Sequence, residues 1–422
     1  MNVTREMIDE AEARLDFEPA AVRRALAERA PVADAQPREV QKRLAHALGE
    51  GPDAADLAVE RILTGADQLN VNFLERGMIA ADAVACLEIR SAEEQLLGYA
   101  TGFMVSPQLL MTNHHVLPSA EVAAQSWADF RWEYDAYGRA LEPVSFALDP
   151  ARFYFADPEL DVALVALAPR DAGGDMAPAS FGWLRLHPGT EKALPGEWLS
   201  VVHHPHGRPK QLTVRQCQLL RRTPCHLWYG GTTGYSSGAP LCNDSWQVVA
   251  LHSTGVPKRD ASGAVLTVDG ERWIEGGDES RVLWQAGLGA RVSAIVRRVD
   301  GACGGHPLVQ EMLREGQADT ADAVVVPLGS GEPLVVESPQ GSAPMPPVAA
   351  APEARTNGGS TPPTATVPPL APPVQPLRAP VMARSSERPR TSEAITVTIP
   401  LRITVRPGNG SGHGAAVGVD LE

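Results

Sequence analysis

The sequence predicts an all-β barrel or sandwich, with a helical segment before it and a disordered, Pro-rich region after it. Three observations carry this. Short apolar or alternating runs (AVACLEI, LGYATGFMVS, QLLMTN, DVALVAL, WLSVVHH, KQLTVRQCQLL and WQVVALHS) follow one another between turn residues. The chain before them is rich in Ala, Glu, Arg and Leu, with apolar residues at helical spacing. The chain after them is rich in Pro, Ala, Ser and Thr and poor in large apolar residues. With 422 residues, 38 Gly, 37 Pro and only 5% aromatics, part of the length does not belong to a core.

In chain order, residues 1–77 read as short helices such as AAVRRALAERA and DAADLAVERIL, broken at Pro31, Pro37 and Gly51-Pro52. Residues 78–305 hold the strands and end in ARVSAIVRRVD, whose pattern is that of a closing helix. A short helix over 306–318 follows, then a disordered or polyproline-like linker over 319–393. In the tail, 394–422, Ile395, Val397, Ile399, Leu401, Ile403 and Val405 alternate with polar residues and Pro400. That is one isolated strand, which cannot stand alone and invites pairing with a protein partner.

Composition excludes several functions. A formal net charge of −14 argues against neutralising nucleic-acid phosphates. The acidic N-terminus, MNVTREMIDEAEARLDFEP, has no apolar signal core, and no window approaches 18 uninterrupted apolar residues, so a cytoplasmic protein with no membrane partner is expected. Cys86, Cys217, Cys225, Cys242 and Cys303 are odd in number and lack a C-x-x-C pair, so buried reduced thiols are expected. VVHHPHGRPKQL brings His203, His204 and His206 together, but no Cys or carboxylate accompanies them. No metal and no other cofactor is expected.

Three segments carry chemistry. TGFMVSPQLLMTNHHVL ends in His114 and His115, DPELDVALVAL places Asp157 and Asp161 before a buried strand, and TTGYSSGAPL offers Ser236 and Ser237 in a Gly- and Ser-rich loop. Hydrolysis by a serine needs a base for the hydroxyl proton, an acid to hold the imidazole in the right tautomer, and backbone donors for the oxyanion. Each signal alone is weak, because a histidine in a turn or an Asp before a strand is commonly structural. Their joint order, His then Asp then Ser, is the informative feature.

These segments resemble the bacterial trypsin-like peptidases close to the glutamyl endopeptidases, over roughly Ala80 to Val299. In that family the histidine follows a Thr-Asn or Thr-Ala pair, with at most one residue between, and precedes Val or Cys, which points to His115 rather than His114. The aspartate opens D-[IV]-A-L, which points to Asp161 rather than Asp157, and the serine precedes Gly-x-Pro, which points to Ser237 rather than Ser236. The separations of 46 and 76 residues suit one site between two barrels. The resemblance implies an all-β double barrel of chymotrypsin-like architecture and a serine endopeptidase acting on proteins or peptides through an acyl-enzyme. Gly234-Tyr235-Ser236-Ser237-Gly238 also fits the G-x-S-x-G elbow of α/β-hydrolases with Ser236 as nucleophile. That motif needs a helix after the serine, whereas Ala239-Pro240-Leu241 leads to a turn and strand.

Departures from the family are specific. The positions that carry cysteines in animal trypsins hold Val116 and Thr233, and the aspartate of their zymogen switch is replaced by Ser236. The oxyanion hole would use the backbone N–H groups of Tyr235 and Ser237, yet the family places Gly where Tyr235 stands, since its conformation there is one that glycine reaches easily. An interaction or sensor module with an incompetent oxyanion hole is therefore the alternative reading. The S1 pocket would be built by Thr232 and the ALHSTG segment with His252 and Ser253, and Thr with His at these places implies acidic P1 residues. Gly231 at the pocket base offers no acid to an arginine.

Overall fold

The computed structural model describes residues 5–27, 43, 69–231, 237–274, 281–317, 324–325, 401–406 and 416–421. Two helices, α1 (Arg5–Arg14) and α2 (Pro19–Ala27), open the chain, and α3 (Asn72–Asp82) leads into β1 (Val84–Arg90). Then come β2 (Leu96–Met104), β3 (Leu109–Thr112), α4 (Ala120–Gln125), β4 (Trp127–Phe130), β5 (Val144–Ala147), β6 (Tyr154–Asp157) and β7 (Val162–Ala166). These strands form one antiparallel sheet in the order β5-β4-β1-β2-β3-β7-β6. It curls until the end of β5 meets the end of β7: Leu148 bridges Leu167, Asp149 N–H donates to Ala166 O at 2.8 Å and Ala168 N–H to Ala147 O at 2.9 Å. The DVALVAL run is hydrophobic without alternation because β7 is buried along its whole length.

The second half is a closed barrel, β10-β11-β14-β13-β12-β9. After β8 (Trp183–Leu184) its strands are β9 (Trp198–His203), β10 (Gln211–Arg222), β11 (His226–Tyr229), β12 (Pro240–Cys242), β13 (Val248–Pro257) and β14 (Trp284–Arg291). Leu199, Val201, Leu219, Leu227, Tyr229 and Leu241 belong to its interior cluster. β11 shows the alternation of a strand clearly: Leu227 and Tyr229 join that cluster, while Trp228 between them packs with Ala11, Val256, Ala286 and Leu288. Phe17 meets Trp228 edge-on at 6.0 Å, and Arg259 bonds Glu12 at 2.6 Å, so the first helices cover the outside of this barrel. The helix α3 is stapled by Trp246, whose indole N–H donates to Phe73 O at 2.8 Å. Gly77 permits that approach, since a Cβ there would lie 2.5 Å from the indole.

The helix α5 (Val292–Cys303) closes the domain and α6 (Pro307–Gln317) packs beside it. Arg298 on α5 pairs with Asp157 and, at 2.6 Å, with Glu159, while Asp157 Oδ1 accepts the Leu160 amide at 2.9 Å. Asp157 thus braces the β6–β7 turn.

Several expectations need correction. Within the expected linker, β15 (Val324–Val325) pairs with β8, two valines finding a strand edge in a segment whose composition hides them. The tail does not hold one isolated strand: β16 (Leu401–Arg406) pairs in register with β17 (Ala416–Leu421), and residues 395–400 lie outside the described residues. AVGVDL was missed because its glycine and small side chains give a weak strand signal. Cys86, Cys217 and Cys242 are buried and free, but Cys225 is free and exposed in the turn between β10 and β11. None of the described helices is long and apolar enough to cross a membrane.

The chain divides into compact units over Met1–Ser338 and Pro339–Glu422. A chain ending at Ser338 is therefore expected to unfold within about 2 °C of the full-length Tm for its first unit. Calorimetry checks this, and a fall of more than about 5 °C would show that the tail completes the domain.

Candidate active site

His115 lies just beyond β3, in a turn where the Val116 and Leu117 amides donate to Asn113 O, and both Val116 and Leu117 are anchored in the core. Asp161 stands immediately before β7, which pairs with β3, so the two residues sit at the same end of one antiparallel pair. The His115 ring Nδ1 is 2.9 Å from Asp161 Oδ2 and 3.0 Å from Oδ1, and the His115 amide donates to Oδ1 at 3.0 Å. The Asn113 side chain holds the Asp161 carbonyl at 2.9 Å. Asp161 has φ 50°, a left-handed conformation that Asp tolerates better than most residues and that this many bonds over-determine.

The fourth bond to this carboxylate comes from the other half of the molecule. Ser253 on β13, expected to line the substrate pocket, donates its hydroxyl to Asp161 Oδ2. Neither this contact nor the role of Asn113 was visible in the sequence, because both are made across turns and barrels. Burial is the largest single influence on Asp161 and pushes its carboxyl up; the charge of His115 and the three donors together outweigh it and hold the group below its ordinary value. The His115 Nε2, on the far side of the ring, is buried and has no hydrogen-bond partner among the described residues.

Ser237 is buried at the start of the segment entering β12. Its carbonyl accepts from the Thr101 amide of the first sheet at 2.9 Å, and the Gly238 amide donates to His252 O at 3.1 Å. His252 in turn donates its amide to Ala239 O at 2.9 Å. Gly238 has φ +83°, and a Cβ there would sit 2.0 Å from Thr101 O and 2.3 Å from Thr112 Oγ1, so only glycine lets this turn reach the strand ends that lead to His115. The structure thus brings both His115 and Ser253 onto the Asp161 carboxylate and sets the Ser237 turn against β2, β3 and His252. Thr232, Tyr235 and Ser236 lie outside the described residues.

His252 bonds through Nδ1 to the Tyr229 hydroxyl. Burial, reinforced by His203 and His115 and opposed by Asp161, pushes its imidazole down to about 3. Of the VVHHPH histidines, His203 shares a 3.3 Å contact with the Thr213 hydroxyl, and His204 bonds Arg208 O at 3.0 Å. Burial pushes them down to about 4 and about 3, so both are neutral packing groups.

Because Asp161 is held below its unfolded value, its contribution to stability is fully present above that value and is lost as pH falls through the folded one. Urea unfolding of wild type and Asp161→Asn should show a free-energy gap that shrinks as pH drops below about 4. A gap that widens on acidification would contradict this electrostatic account.

Residues 100–251 match the family model described as a trypsin-like peptidase domain, a span that includes His115, Asp161 and Ser237. The chain is also similar to the uncharacterized protein y4fB of Sinorhizobium fredii, at 29% identity over 294 residues, 64% of this chain and 43% of that protein. It therefore spans less than half the length of this curated relative. Similar solved structures include the Rv3671c protease of M. tuberculosis in its active form, with 17% identity, TM-score 0.32, and coverage of 55% of this chain and 86% of that one. Another is the serine endoprotease of Yersinia pestis, with 14% identity, TM-score 0.34, and coverage of 58% and 69%. Residues 100–251 thus carry a trypsin-like peptidase domain.

Proposed function

We propose that the protein is a serine endopeptidase in which Ser237 is the nucleophile, His115 the general base and Asp161 the residue that orients it. The observation that carries this reading is the His115–Asp161 pair: a carboxylate receives the imidazole Nδ1–H, so the lone pair sits on the opposite nitrogen. Nε2 then takes the proton of the Ser237 hydroxyl as its oxygen attacks the scissile carbonyl, and returns it to the leaving amine. The acyl-enzyme is hydrolysed by water activated by the same nitrogen. Backbone N–H groups of Ser237 and Tyr235 are assigned to the developing oxyanion.

At P1 the sequence suggested an acidic residue held by Thr232 and His252. An imidazole pushed down to about 3 is neutral at physiological pH, so His252 offers one N–H donor and no positive charge. The reading this supports is a P1 side chain that presents an oxygen acceptor, which covers Glu and Gln. Tyr235, where the family has glycine, is the feature that favours the second reading, an interaction module on a peptidase fold.

Purified Ser237→Ala and His115→Ala are each expected to lose at least about 10⁴-fold in kcat on a peptide substrate, whereas Ser236→Ala stays within a few-fold. If Ser236→Ala were the dead variant and Ser237→Ala active, the elbow reading would replace this one.

A further inference from the structure

Tyr229 is fully buried at the end of β11, opposite Gly287 on β14. Gly287 leaves a slot for the phenol, since a Cβ there would lie 2.4 Å from the ring and 2.9 Å from its hydroxyl oxygen. The hydroxyl that this slot positions meets His252 Nδ1. His252 itself is held by backbone bonds on both sides of the Ser237 turn, its N–H to Ala239 O and its carbonyl from Gly238 N–H. Only 6% of His252 reaches solvent.

We propose that Tyr229 fixes His252 in the tautomer that carries its proton on Nε2, and that the peptidase thereby selects a carboxamide, as in glutamine, over a carboxylate at P1. This rests on the reading that Ser237 is the nucleophile and that His252 lines S1.

The argument has two steps. A phenol is a stronger acid than a neutral imidazole and the imidazole nitrogen is the stronger base, so the hydroxyl donates and Nδ1 accepts. A neutral ring that accepts at Nδ1 has its hydrogen on Nε2 and can only donate there. The second step concerns what that donor selects. The charged or titratable groups that act on His252 are His203, His115 and Asp161; the first is neutral, pushed down to about 4 by burial, and the last is an anion. A glutamate carboxylate would be desolvated near a like charge, and His115, whose ring could offer it a positive charge, is already paired with Asp161. A glutamine carbonyl accepts the same Nε2–H without burying charge. The family-like expectation of an acidic pocket is thereby narrowed to its uncharged isostere.

The test compares peptides identical except for Gln, Glu or Met at P1, with wild type and Tyr229→Phe, alongside fluorophosphonate labelling of wild type. Wild type is expected to prefer Gln to Glu by at least about tenfold in kcat/KM, because both accept the Nε2–H but only Glu must bury a charge near Asp161. Tyr229→Phe should move both the Gln-to-Glu and Gln-to-Met ratios toward one, a change that mere loosening of the barrel would not produce. The ¹⁵N spectrum of His252 in wild type reads the tautomer without any variant, and protonated Nε2 with unprotonated Nδ1 is expected. A labelled enzyme that prefers Glu, keeps its ratios in Tyr229→Phe, or shows an Nδ1–H or doubly protonated His252 at pH 7 overturns this inference and leaves the serine reading standing. A wild type that neither labels nor cleaves removes the serine reading and this inference with it.

Discussion

The carboxylate of Asp161 is where the two halves of the peptidase domain are tied chemically. From the first sheet it receives the amide and the ring of His115; from the second barrel it receives the hydroxyl of Ser253. A buried carboxylate without these donors would be costly, and each donor is costly to leave unmatched in turn. The registration of β13 against the β3–β7 pair is thus coupled to the ionisation of one group. The Thr101 amide on Ser237 O and the missing side chain of Gly238 hold the same seam a few residues away.

Much of this was legible in the sequence because it is local. TNHHV places a histidine immediately after a buried strand end, and DVALVAL places an acid immediately before another; two such strands, paired antiparallel, bring the side chains to one end. The double-barrel class followed from many short strands together with the family resemblance. What could not be read depends on contacts between distant parts of the chain. Ser253 looked like a pocket residue because its neighbour His252 does, yet its hydroxyl is spent on Asp161. The part played by Tyr229 was not read at all, because nothing local reveals that Gly287 opposite opens a slot for it. The hairpin of β16 and β17 was half visible, since LRITVR alternates strongly and AVGVDL does not.

Burial also separates the histidines by task. His203, His204 and His252 are all pushed far below the usual imidazole range by burial, and so act as neutral donors and acceptors in the barrel. His115 alone among them faces a carboxylate through one nitrogen and leaves the other unbonded among the described residues. That difference in partners, more than sequence position, distinguishes a base from a packing residue.

The most direct test of one shared, activated site is to react the protein with a fluorophosphonate and locate the adduct by peptide mass spectrometry. Labelling requires a serine whose proton is removed by an adjacent base. The account predicts a single adduct on Ser237 that disappears in His115→Ala and is strongly slowed in Asp161→Asn. An adduct on Ser236, or labelling of Ser237 that is unchanged in His115→Ala, would contradict it.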